Sequence, residues 1–289
     1  MASKMSDYQA ALKHKYRVES GGEYVPGVTS VIGIMDKPAL KWASSRIAAV
    51  SLVELDPKRR AEIVIEHRAQ LAKPAGRSES AQKKRILADE GSDDEVLIHW
   101  ARGEFDRQWR AKANRGNRVH DVAEAWTRGE SVDVLDEDNG FVDSLELFHK
   151  NYSPTFDLAE CVVLNADLKY GGRFDAVTSM EGPGTPAGRY LIDYKTGGEY
   201  PWDCAMQSEG YRHGRLGVYD DEGTLTGFED LPEIDGARTI YLRVDGSLSV
   251  KDPFAIISQD DAWEAFKAAR ALYEINKRVE KALEQGEPA

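Results

Sequence analysis

The chain has 289 residues, 41% hydrophobic and 30% charged, with a formal net charge of −12. That length can bury a sizeable core in one large domain or two modest ones, and the composition is ordinary for a globular protein. No apolar run approaches the ~18–20 residues of a membrane helix, the N-terminus lacks the apolar core of a secretory signal, and Cys161 and Cys204 stand far apart outside any Cys-x-x-Cys; a zinc ribbon, a disulfide scaffold and a four-thiolate cluster are excluded, and a reducing cytoplasm is the expected compartment.

In chain order, a short strand is expected around Tyr16–Val18, and Val28, Val31, Ile32 and Met35 fall at helical spacing. Pro38 suits the first turn of a helix running through Trp42 and Ile47 toward Val53. Residues 57–100 read as helical, with polar interruptions at 73–80 and 89–94 where mobile loops are expected. A long helix is expected over Glu104–Trp126, with His120 and Glu124 on one face, and another over Asn139–Lys150. Strands follow at Leu158–Asn165, Lys169–Ser179 and Gly188–Lys195, the first two joined by the hairpin-length link Ala166-Asp167-Leu168. A helix over Asp203–Leu216, strands at Arg238–Val244 and Leu248–Val250, and a terminal helix over Asp260–Leu283 complete the pattern. The fold class is therefore α/β (α+β): one central mixed sheet flanked by helices, with a mainly helical N-terminal region over 1–100 packed on a core over 101–289.

An acidic total does not exclude a nucleic-acid partner, because a basic groove can sit on an acidic body. Arg102, Arg107, Arg110, Lys112, Arg115 and Arg118 oppose only Glu104 and Asp106, and two further basic clusters are Lys58-Arg59-Arg60 and Arg77 with Lys83-Lys84-Arg85. Each such cluster on its own is as well explained by a solvated helix face.

The densest chemistry lies in Gly172-Arg173-Phe174-Asp175 and Asp193-Tyr194-Lys195. Alternation along a strand puts Asp193 and Lys195 on one side. Two carboxylates beside a lysine suit a hard divalent cation and the water it polarises, which is the chemistry of cutting a phosphodiester. An Asp-x-Lys alone is more often a surface ion pair; its weight here comes from the ordered set His120, Glu160, Asp175, Asp193, Lys195, Gln207 and Tyr211.

On these residues the chain resembles the PD-(D/E)XK nuclease superfamily in its RecB-like exonuclease branch, which includes phage recombination exonucleases. The matching pieces are Arg115-Gly116-Asn117-Arg118-Val119-His120, Glu160, Gly172-Arg173-Phe174-Asp175, Asp193-Tyr194-Lys195-Thr196 and Gln207-Ser208-Glu209-Gly210-Tyr211, together with the opening Val25–Val31 and Lys37–Trp42. The resemblance implies a restriction-endonuclease-like core and a metal-dependent DNA exonuclease. Asp175, Asp193, His120 and the carbonyl of Tyr194 would bind Mg²⁺ or Mn²⁺; Lys195 would orient the attacking water, with Glu160 in support. Gln207 and Tyr211 would contact DNA near the scissile phosphate, and Arg115 and Arg118 would hold its backbone. By analogy with phage systems it also implies a recombinase or single-strand-binding partner and a homo-oligomer. The chain departs from the pattern at Phe174, where proline is usual, and lacks the four cysteines of cluster-bearing relatives, so no iron–sulfur cluster is expected. The alternatives are an endonuclease of the same fold and a non-catalytic DNA-binding module.

Overall fold

The computed structural model describes residues 5–35, 38–73, 79–199 and 201–284. They form a mixed α/β architecture with a five-stranded and a four-stranded sheet. Two compact units result: residues 1–35 with 115–289, and residues 36–114. The sequence reading drew its boundary near residue 100; the division instead falls after Met35 and again after Asn114, inside the long helix. The acidity is unevenly shared. Residues 36–114 carry 16 Lys and Arg against 13 Asp and Glu, a net of +3, which leaves −15 on the rest of the chain.

The larger unit contains α1 (Asp7–Leu12), α2 (Val28–Ile32), the later part of α7 (Glu104–Thr127), α8 (Asn139–Tyr152), α9 (Pro201–Arg212) and α10 (Gln259–Glu284). Its strands are β1 (Thr155–Ala159), β2 (Val162–Asn165), β3 (Tyr170–Arg173), β4 (Ala176–Gly182), β5 (Thr185–Lys195), β6 (Arg215–Tyr219), β7 (Leu225–Glu229), β8 (Gly236–Leu242) and β9 (Leu248–Lys251). One sheet runs β1-β4-β5-β8-β9, with β5 and β8 parallel and the other pairs antiparallel; the second runs β3-β2-β6-β7, all antiparallel.

A single mixed sheet was expected, and the structure corrects this. The two strands read as 158–165 and 169–179 each break in the middle. Their outer halves, β1 and β4, pair in the five-stranded sheet, and their inner halves, β2 and β3, pair in the other. Together they make one long hairpin creased between the Ala159–Ala176 and Val162–Arg173 pairs. Glu160 sits in the crease with a left-handed φ of 52°, which breaks the strand's alternation. Glu160 N donates to Asp175 O at 2.8 Å and Phe174 N to Cys161 O at 3.2 Å, so the ribbon stays hydrogen-bonded through the bend. The helix expected to reach Leu216 stops at Arg212, and the alternating run Arg215–Tyr219 becomes β6. β6 and β7 were not anticipated, being short, only partly buried and interrupted by Gly217 and Gly227.

The alternation of β5 sorts its residues between two cores. Tyr190, Ile192 and Tyr194 face Val119, Val122, Phe141, Leu145 and Phe148 of α7 and α8, while Leu191 joins Val28, Val31, Met206, Tyr211 and Phe266 of α2, α9 and α10. The terminal helix buries Ala262, Phe266, Ala269 and Arg270, the i, i+4, i+7, i+8 stripe of an amphipathic helix.

The smaller unit is wholly helical. It comprises α3 (Pro38–Val53), α4 (Pro57–Ala72), α5 (Glu79–Glu90), α6 (Asp93–Arg102) and the start of α7. Residues 74–78 of the expected 73–80 loop lie outside the described residues; the second interruption contains Ser92, which caps α6 in a reciprocal pair with Glu95. Ile63, Val64, Val96 and Leu97 form the core, packed by Leu52, Leu55, Leu87 and Trp100. Arg68 ties α4 to the α5–α6 link through Ala88 O, Gly91 O and Asp93.

Within that unit His67 Nε2 lies 2.9 Å from His99 Nδ1, and His67 is buried. Burial holds both imidazoles below the usual histidine range, helped at His67 by His99 and Arg107 and at His99 by Lys84 and Arg102. The folded pKa lies below the unfolded one for each, so the unfolded chain binds more protons in between. The unit should therefore keep its full stability above about pH 6.5 and lose it as the pH falls through the lowered folded values. Hydrogen exchange of α4 and α6 amides against pH checks this: protection that does not decline between pH 7 and 5 would contradict it.

Candidate active site

The site gathers where the C-terminal end of β5 meets the crease of the long hairpin. Asp175 stands between β3 and β4, outside regular pairing, and so is free to turn its carboxylate toward β5: Tyr194 N donates to Asp175 Oδ2 at 2.6 Å. The sequence reading put Asp175 inside a strand; the crease is what aims it. Asp193 and Lys195, on the α9 side of β5, form an ion pair with Lys195 Nζ 2.5 Å from Asp193 Oδ2. That contact lacks hydrogen-bond direction, which leaves Oδ2 buried without a well-aligned donor.

Helix α9 completes the group. Gln207 Nε2 donates to Asp193 Oδ1 at 3.0 Å and lies 3.0 Å from the Tyr211 hydroxyl, while Lys195 Nζ donates to Gln207 Oε1 at 3.1 Å. One amide thus spans both members of the ion pair. Tyr211 sits where it does because Gly172 has no side chain; a Cβ there would lie 2.5 Å from Tyr211 Cε1 and 3.1 Å from Val28 Cγ2. From the other face of the sheet, α7 brings His120 Nδ1 to 3.4 Å from Asp175 Oδ1. Gly116, one turn earlier, lets the helix pass Thr196, whose Oγ1 would be 3.3 Å from an added Cβ.

The electrostatics follow from crowding. Burial works against a charged His120, but the Asp175 carboxylate beside it prevails and raises the imidazole to about 9. Burial would raise Asp175, yet His120, Lys195 and the Tyr194 amide hold it below the usual carboxylate range. Asp193 is raised instead, by burial and by Asp175, against the pull of Lys195. Lys195 is raised because Asp193 and Asp175 outweigh its burial. Two neighbouring carboxylates therefore titrate in opposite directions, the pattern of a pair that shares limited positive charge.

Glu160 faces Asp175 across the crease. Burial first, then repulsion from Asp175, push it to about 7, although Arg173 Nε lies 3.0 Å from its Oε2. Arg173 was quoted in the motif but given no role; its place as the partner of Glu160 depends on the crease, which no local pattern marks. The Tyr194 ring is buried among α7 and α8 residues, and its hydroxyl has no hydrogen-bond partner.

The structure thus brings His120, Glu160, Asp175, Asp193, Tyr194, Lys195, Gln207 and Tyr211 together. It employs Arg115 and Arg118 differently. Arg118 Nε lies 2.7 Å from Asp138 Oδ2 and its Nη2 is 2.7 Å from Glu137 Oε1; Arg115 Nε lies 3.7 Å from Asp138 Oδ1. Asp138 is 5% exposed, so these arginines neutralise a buried carboxylate at the start of α8 rather than stand free for a phosphate. Arg118→Ala should cost about 1–3 kcal/mol in urea unfolding by stripping Asp138 of its main donor. A variant as stable as the wild type would return Arg118 to the surface.

Among the described residues, no three His, Cys, Asp or Glu side chains are grouped as a ready metal cage. The donor set is that of a sparser site: two buried carboxylates, one with an oxygen lacking an aligned donor, beside the Tyr194 backbone. Such a set suits a hard cation that keeps several waters, and does not suit a soft or tetrahedral one. No family model matches the chain, and no curated protein matches it in sequence.

Proposed function

We propose that the chain is a divalent-metal-dependent deoxyribonuclease of the PD-(D/E)XK superfamily, acting as an exonuclease in phage-type recombination or DNA processing. The observation that carries this reading is the bridge from Gln207 to Asp193 and Lys195, with Asp175 pinned alongside by the Tyr194 amide. It joins two carboxylates and one ammonium in a fixed relation on a rigid sheet.

Asp175 and Asp193 would hold Mg²⁺ or Mn²⁺, with the Tyr194 carbonyl and His120 as further ligands, and the ion would supply charge to the phosphate oxygens and acidify a water. The remaining work falls to the chain. Lys195 is held by Asp193 and Gln207, and its ammonium can orient a water for in-line attack and offset charge growing on the phosphate. Its raised pKa keeps it cationic, which suits positioning and charge stabilisation rather than proton abstraction. Gln207 fixes the rotamers of both neighbours at once. Glu160, close to half-ionised near neutrality, can exchange a proton at the edge of the site.

The test is incubation of the purified chain with end-labelled linear duplex and with closed circular DNA, in Mg²⁺, Mn²⁺ or EDTA. Metal-dependent loss of the linear substrate alone is expected. Cutting of the circle would make the chain an endonuclease of this fold. Binding of DNA without cleavage would make it a non-catalytic module.

A further inference from the structure

Between α5 and α6 of the helical unit lies an open hollow of about 400 Å³ lined by Ser80, Lys83, Lys84, Leu87 and His99. The four α5 residues fall at i, i+3, i+4 and i+7, one face of the helix. His99 enters from the last turns of α6 with its Nδ1 taken by His67 at 2.9 Å, which leaves the Nε2 edge turned away from His67. The lining polar groups are two ammoniums, a hydroxyl and an imidazole, and no carboxylate lines the hollow. Lys84 and Arg102 bear on His99 strongly enough to help lower it, a crowding of positive charge that an anion would relieve.

We propose that this hollow is a phosphoryl-group site that takes one phosphate of a nucleic-acid backbone. Ammonium groups act on phosphate as point charges, while the serine hydroxyl and the imidazole N–H supply directed donors. The net +3 of residues 36–114, against −15 on the rest, makes this unit the part of the chain that a polyanion meets at lowest electrostatic cost. The site rests on the nuclease reading only for the source of the phosphate; the donor set stands without it.

The experiment uses the full chain in EDTA, so that no cleavage intervenes. Labelled duplex and single-stranded oligonucleotides are titrated by fluorescence anisotropy between 50 and 200 mM salt, with the wild type and with Lys83→Ala/Lys84→Ala. The expected result is weaker binding and a salt slope smaller by about 1. Lys84→Gln alone, in a chain of unchanged melting temperature, guards against a folding defect in the double variant. In parallel, the His99 imidazole resonance is followed during titration with a 5′-phosphorylated oligonucleotide and with inorganic phosphate. A saturable shift with the oligonucleotide, lost in the variants, supports the backbone site. A shift with inorganic phosphate alone, and equal oligonucleotide binding by all chains, would assign the same site to a free phosphate and overturn the backbone as its source. No His99 shift with either ligand, together with an unchanged salt slope, would overturn the site. The nuclease reading fails separately: a wild type that cuts nothing but shows the slope change keeps this site, and one that cuts DNA but shows no slope change loses it.

Discussion

Asp193→Asn or Lys195→Ala is expected to lower metal-dependent cleavage by roughly 10²–10³-fold or more, with the fold intact. Asp193 offers one oxygen to Gln207 and the other to Lys195, and Lys195 holds both Asp193 and Gln207. Removing either charge leaves the other with its Gln207 bond, and the surrounding β5–β8 pairing and the two cores do not depend on the pair. Circular dichroism should therefore be unchanged and the melting temperature should move by only a few degrees, about 2–4 °C per kcal/mol for a domain of this size. Cleavage of linear duplex in Mg²⁺ by a well-folded variant at the wild-type rate would sink the assignment of these residues.

The second large effect is expected at a position that carries no chemistry. Gly172→Ala should cost about 1–3 kcal/mol and depress cleavage as well, because the new methyl would lie 2.5 Å from Tyr211 Cε1 and 2.9 Å from Cδ1. The tyrosine ring is buried and backed by Phe174 and the α2 residues, so the contact must be relieved by moving the ring, the strand or both. The Tyr211 hydroxyl lies 3.0 Å from Gln207 Nε2, and the displacement is passed to the amide that spans Asp193 and Lys195. Gly184→Ala is the control: φ is +71° there and nothing lies within 4 Å, so its cost is that of backbone conformation, about 1 kcal/mol, and cleavage should be unaffected. Urea unfolding and initial rates on the same preparations separate the cases. A Gly172→Ala chain as stable and active as the wild type would mean that the contact yields freely.

Much of this was legible in the sequence. The long amphipathic helices over 104–127, 139–152 and 259–284 were readable because each carries a regular apolar stripe against a single layer. The shared orientation of Asp193 and Lys195 followed from the two-residue period of a strand, and the four-residue spacing of Gln207 and Tyr211 from the turn of a helix. What stayed hidden depended on long-range pairing. Nothing local marks that 158–165 and 169–179 each belong to two sheets, because the bend is made by one left-handed residue, Glu160, of a type that does not announce it. The same bend places Arg173 on Glu160. The reading of Arg115 and Arg118 as free cations missed Asp138, 20 or more positions away in sequence, whose burial claims them.

The crease has a mechanical meaning. The β1–β2 and β3–β4 segments are continuous chain through the bend, so the four-stranded sheet is an arm rigidly spliced to the five-stranded one at Glu160 and Asp175. The two sheets cannot rock about that line without changing the spacing of these two carboxyl groups. A load applied anywhere along β6 or β7 therefore arrives as torque at the residues that face the metal-binding carboxylates, and the second sheet is a lever whose fulcrum is the site itself.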